Sequence, residues 1–173
     1  MAFTYSKLAE TTVGAGGAST ITFNNIPQNY TDLVLKLSTR TNTSDASSGQ
    51  WTYVYFNGTT TNNSTKVLFG SGSTTGSLSG SGSTPYAAYV EPSNFTASTF
   101  GNAEIYIPNY VNTNNKSFSV DSVTENNSTG AYSNLSAGLW SNTTSINTVT
   151  LTPAAGTFVQ YSTAYLYGIR VEL

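Results

Sequence analysis

The sequence predicts an all-β domain, two antiparallel sheets packed as a jelly-roll-like sandwich, and three observations predict it. Apolar and polar residues alternate with a period of two in about ten short runs, the signature of strands with one buried face. No stretch repeats at 3.6 residues, so no helix is expected. Between the runs stand clusters of Gly, Asn, Ser, Thr and Pro, the residues of turns. At 173 residues the whole chain, 1–173, is expected to form one domain with a core of its own.

The stretch Phe100 to Thr124 shows the pattern best. Ala103, Ile105 and Ile107 alternate with Glu104 and Tyr106. After the turn Asn112 to Asn115, Phe118 and Val120 alternate with Ser117, Ser119 and Asp121, giving a β-hairpin around which the other strands are arranged. Pro108, near the end of the first of these strands, suggests an edge or a bulge because it lacks an amide donor.

From the N-terminus, Phe3 and Tyr5 alternate with Thr4 and Ser6, and Leu8 to Val13 continues extended. Residues 1–13 therefore read as a first strand or as an arm that adds to a neighbour's sheet, with Phe3, Tyr5 and Leu8 as its partner contacts. Gly14 to Gly17 form a turn. A β-run at Ser19 to Phe23 follows where a phosphate-cradling loop would need a helix. Leu33, Leu35 and Leu37 mark the clearest strand, Leu33 to Arg40. Trp51, Tyr53 and Tyr55 alternate with Thr52, Val54 and Phe56, and Asn57-Gly58 signals a hairpin into a returning strand, Lys66 to Phe69. Residues 70–84 are Gly, Ser and Thr around Leu78 and read as a flexible loop rather than an interdomain linker, since too few strands precede them to close a sandwich. Tyr86 to Val90 resumes extended structure. Beyond the central hairpin, Leu135, Ala137 and Leu139 share a strand face that ends beside Trp140, Ile146 to Leu151 gives another strand, and Tyr161 to Val171 gives the last.

Composition excludes several functions. Only 8% of residues are charged, against roughly 25% in an average domain, while Ser, Thr and Asn supply 71 of 173. A surface of neutral hydroxyls and amides has little self-repulsion and is easily desolvated by a partner. The net charge is −2 and the six cations are scattered, which argues against nucleic acid. No run is apolar enough to span a bilayer, and the N-terminus lacks the basic and apolar regions of a secretory signal, so no membrane partner and synthesis in a cytosol are expected.

Chemistry is poorly signalled. The absence of His and Cys removes the commonest general base, metal ligand and nucleophile, so no enzyme, catalytic residue or cofactor is expected. Glu104, Asp121 and Glu125 are the carboxylates a glycosidase would need, but their spacing on extended segments makes them outer-face charges. Asp45 or Asp121, with nearby Asn and backbone carbonyls, is the calcium alternative, but no EF-hand-like spacing supports it and no metal is expected. Twelve Tyr raise a glycan-binding alternative in which Tyr53, Tyr55, Tyr106 and Tyr110 form a stacking platform; ordinary core and cross-strand packing is the competing use of these rings.

Five segments, Ile21 to Lys36, Ala103 to Tyr110, Asn114 to Asn127, Ala137 to Pro153 and Phe158 to Ile169, resemble a group of small virion proteins of tailed phages. The resemblance implies a jelly-roll-like sandwich on the particle: a non-enzymatic capsid decoration (cement) protein, commonly a homotrimer, or a tail or fibre component. Under the first reading the partners are the major capsid protein and further copies of this chain, and the location is the capsid exterior of the virion. Under the second, the tyrosines contact host surface glycans.

Overall fold

A computed structural model describes residues 3–44, 50–124 and 131–171. Twelve strands follow one another: β1 (Phe3–Thr12), β2 (Ile21–Phe23), β3 (Asp32–Thr39), β4 (Gln50–Phe56), β5 (Asn63–Ser71), β6 (Thr74–Ser81), β7 (Tyr86–Val90), β8 (Gly101–Ile107), β9 (Lys116–Thr124), β10 (Tyr132–Trp140), β11 (Val149–Pro153) and β12 (Thr163–Val171). They form a two-sheet antiparallel sandwich, as the alternation predicts. One sheet has eight strands in the order β1-β12-β3-β8-β9-β10-β5-β6, the other four in the order β2-β11-β4-β7.

The main core lies between the sheets. Leu33, Leu35 and Leu37 of β3, Ile105 and Ile107 of β8, Phe118 and Val120 of β9 and Leu166 of β12 meet Phe23, Val54, Phe56, Val149 and Leu151 of the small sheet. Phe56 is at the centre, with its ring 5.6 Å from that of Phe118 and 5.7 Å from that of Trp140. Full burial stabilises by about 1.5–3 kcal/mol for each such side chain, which is why the alternating runs fix which face turns inward.

The wide sheet overhangs the narrow one. Beyond β7, the β5–β6 hairpin covers a second cluster in which Trp51 stacks on Tyr89 at 4.1 Å and Val67, Phe69 and Leu78 pack with Tyr53, Tyr86 and Tyr132. Residues 70–84, expected to be a flexible loop, are therefore mostly strand. Gly72, at φ +56°, opens a two-residue turn, and β6 pairs with β5 from Ser71↔Thr74 to Ser64↔Ser81. Two of the five glycines that suggested flexibility, Gly76 and Gly80, are packing residues. A Cβ on Gly76 would come within 2.7 Å of the Phe69 ring, and one on Gly80 within 2.2 Å of the Thr84 carbonyl and 2.8 Å of the Tyr86 ring.

Of the two readings of residues 1–13, the described residues form the first strand: β1 pairs along its length with β12, with one bulge between Lys7 and Ala9. Two further expectations are corrected. Asn57-Gly58 does make the tight turn, with φ of +51° and +70° and the Thr59 amide donating to the Phe56 carbonyl at 3.0 Å. It does not join a hairpin, because β4 belongs to the small sheet and β5 to the large one. Pro108 marks neither edge nor bulge; it follows the end of β8, an interior strand between β3 and β9.

Candidate functional site

Strand β10 inverts the expected pattern. Leu135, Ala137 and Leu139 face away from the core, while Asn134, Ser136, Gly138 and Trp140 face inward. The reason lies in the opposite sheet. As an edge strand, β7 has backbone groups with no strand to pair with, and here they point into the sandwich, where leaving them unsatisfied would cost about 1–3 kcal/mol each. Side chains of β9 and β10 satisfy them. Ser136 donates to the Ala87 carbonyl at 2.8 Å, Ser122 accepts from the Tyr89 amide at 2.9 Å, and Asn134 bridges Ser122, Ser136 and the Ala87 carbonyl. The signal in the sequence was Trp140, the largest apolar side chain of the strand, which is in phase with Asn134 and Ser136 and not with the leucines.

With its inward positions taken, β10 carries leucine outward. Leu135 lies directly opposite Leu68 of β5 on the outer face of the large sheet, and they are 59% and 65% exposed. Around them most side chains are small, Lys66 excepted. One row across the sheet runs Asp121, Leu135, Leu68, Ser77, and the next Ser119, Ala137, Lys66, Ser79. A shallow open groove of about 540 Å³ follows the strands here, between Leu68, Leu135, Thr75 and Ser133. Folding leaves this half of the face flat, nearly neutral and apolar at its centre.

The other half differs. In the same two rows it carries Glu10, Tyr165, Lys36 and Glu104, then Lys7, Tyr167, Val34 and Tyr106. Lys36 pairs with Glu104 across β3 and β8, and Lys7 with Glu10 at 2.7 Å along β1. The expected outer-face placement of Glu104 is thus found. Asp121 is its direct neighbour on β9, on an open sheet face rather than flanking a cleft. Glu125 and Asp45 lie outside the described residues. Among the described residues, no three or more His, Cys, Asp or Glu come together as a metal site, and no helix is long and apolar enough to cross a membrane.

The four tyrosines of the glycan alternative do not assemble into a platform. Tyr110 is fully buried in the main core, with its hydroxyl donating to the Pro27 carbonyl. Tyr106 is on the large sheet and donates to Asp32 at 2.9 Å; burial and this bond raise its pKa. Tyr53 and Tyr55 are neighbours on β4, rings 6.3 Å apart, and the Tyr55 hydroxyl donates to the Ser83 carbonyl at 2.6 Å. Burial raises the pKa of Tyr53, Tyr55 and Tyr110 as well. Of the proposed arm contacts, Phe3 opens β1 opposite Val171, Tyr5 is 58% exposed, and Leu8 packs against the rim of the main core.

Arg40 went unnoticed in the sequence. Nearly buried at the end of β3, its guanidinium donates to the Ser93, Phe95, Thr96 and Thr99 carbonyls at 2.8–3.1 Å and so holds the loop between β7 and β8. A lone Arg at a strand end carries no local sign of this, because its acceptors lie more than fifty residues away.

No family model matches the chain, and neither a curated protein nor a solved structure is significantly similar to it.

Proposed function

We propose that this chain is a non-enzymatic structural protein of a tailed-phage particle, a capsid decoration protein that binds the outside of the assembled head through the outer face of β9, β10, β5 and β6. The phage assignment rests on the resemblance of the five segments. The choice of a packing role rests on one observation: Leu68 and Leu135 stand exposed side by side on a sheet face whose other positions in the same two rows are Ala137, three serines and one charge of each sign, Asp121 and Lys66. Such an apolar patch adds nothing to the core of the monomer, whereas a protein surface laid on it would remove both leucines from water. Because only the folded chain presents this face, attachment would also stabilise it by mass action. The glycan alternative lacks a comparable surface, since Tyr110 is in the core and Tyr106 is on a different sheet from Tyr53 and Tyr55.

The test is an image of the intact particle together with the double variant Leu68→Asp, Leu135→Asp. The wild-type chain is expected on the head surface in hundreds of copies, and the variant, still folded, is expected to be lost from heads. Absence of the chain from virions, or undiminished attachment of the folded variant, refutes the proposal.

A further inference from the structure

The two edges of the large sheet are built differently. β1 carries Lys7, Glu10 and a bulge, devices that keep an edge from pairing with another chain. β6 has none of these: its eight residues, TTGSLSGS, contain no charge and no proline, and it pairs with β5 without a register shift. The two-residue turn at Gly72 sets the alternation of the ladder, so that Thr75, Ser77, Ser79 and Ser81 direct their N–H and C=O groups away from β5. The Ser81 carbonyl is taken by Thr84. For Thr75, Ser77 and Ser79 no described residue supplies a backbone partner on that side.

The geometry points to a second copy of this chain as the occupant of that edge, β6 pairing antiparallel with its own counterpart across a two-fold axis at Leu78. A two-fold axis perpendicular to the strand makes the two copies antiparallel, so the pairing requires no other segment. In this register Ser77 faces the partner's Ser79, and the reciprocal pair completes about four backbone hydrogen bonds. Gly76 faces the partner's Gly80, and no charge meets a like charge. Leu78, the one apolar side chain of β6, is left half-buried at the rim of the Trp51–Tyr89 cluster. On the axis it meets the partner's Leu78 in a non-hydrogen-bonded pair, which joins the two clusters into one apolar layer. That continuity favours a second copy over an unrelated extended peptide.

This inference does not rest on the phage reading, and it is tested on the purified chain. Because the chain has no cysteine, single-cysteine variants report proximity cleanly. Leu78→Cys places two sulfurs on the axis, where the Cα atoms of such a pair are about 4.5 Å apart, within the range a disulfide accepts. Under mild oxidation it is expected to crosslink into a covalent dimer at least ten times faster than Lys7→Cys, a control on the opposite edge. Sedimentation of the wild type is expected to give a dimer, and Ser77→Pro, which removes an outward N–H but no bond to β5, is expected to give a folded monomer. A wild-type monomer, a trimer as the family resemblance implies, or crosslinking at position 78 no faster than at position 7 overturns the inference. A monomer in solution that still decorates heads would sink this pairing and leave the proposed function standing.

Discussion

Replacing Gly138 with alanine separates the packing argument from propensity most sharply, because the two predict opposite signs. In a strand, Gly→Ala ordinarily stabilises by about 0.5–1 kcal/mol through the lost freedom of the unfolded chain. At Gly138 the added methyl would sit 2.0, 2.3 and 2.4 Å from Cζ, Cε1 and Cε2 of Phe118, the residue directly opposite on β9. The ring must move, yet Phe118 is 3% exposed and packed edge-on against Phe56. Overpacking of this kind costs about 1–3 kcal/mol, a fall of roughly 3–10 °C in Tm for a domain of this size. Gly70 on β5 is the control, since a Cβ there meets nothing within 4 Å and Gly70→Ala should be neutral or slightly stabilising. In the double variant Phe118→Leu, Gly138→Ala the two changes should couple favourably by at least about 1 kcal/mol, because leucine vacates the space. Urea unfolding curves of the wild type, Gly70→Ala, Gly138→Ala, Phe118→Leu and the double variant decide it. If Gly138→Ala is as stable as Gly70→Ala, aromatic packing over glycine is not what requires Gly138.

Other expectations follow from the same structure. Arg40→Lys keeps the charge but loses the planar fork; it should cost about 3 kcal/mol and speed amide hydrogen exchange specifically in residues 92–99, whereas unchanged exchange would show that the loop holds itself. Tyr53, Tyr55, Tyr106 and Tyr110 have pKa values raised above the ordinary phenol value of about 10. Above about pH 10 the unfolded chain releases these protons before the folded one does, so the stability they contribute is complete below that pH and is lost as pH rises through the folded values. Phenolate absorbance should show this late-titrating class, and unfolding midpoints should fall over the same interval. Asn134→Leu is expected to cost about 2–4 kcal/mol despite adding apolar volume, because it removes a bridging member of the network serving the Ala87 carbonyl and the Tyr89 amide. Stability at or above wild type would refute that role.

The amino-acid sequence by itself determined the fold class, most of the strands and the main core. Ala103, Ile105 and Ile107 alternating with Glu104 and Tyr106, or Phe118 and Val120 with Ser117, Ser119 and Asp121, fit only one secondary structure, and there the same local period assigns each face. Only the tertiary structure decided what depends on residues far apart in the chain. Ser and Gly in β6 look like a flexible coil until Phe69 and Tyr86 are seen packed over Gly76 and Gly80. The strand after Asn57-Gly58 looks like a hairpin partner until it joins the other sheet. Leu135 looks like core until the unpaired edge of β7 claims the inward side of β10 for Asn134 and Ser136. Local periodicity records that β10 has two faces, but which of them meets water is set by what the edge of β7 leaves unsatisfied.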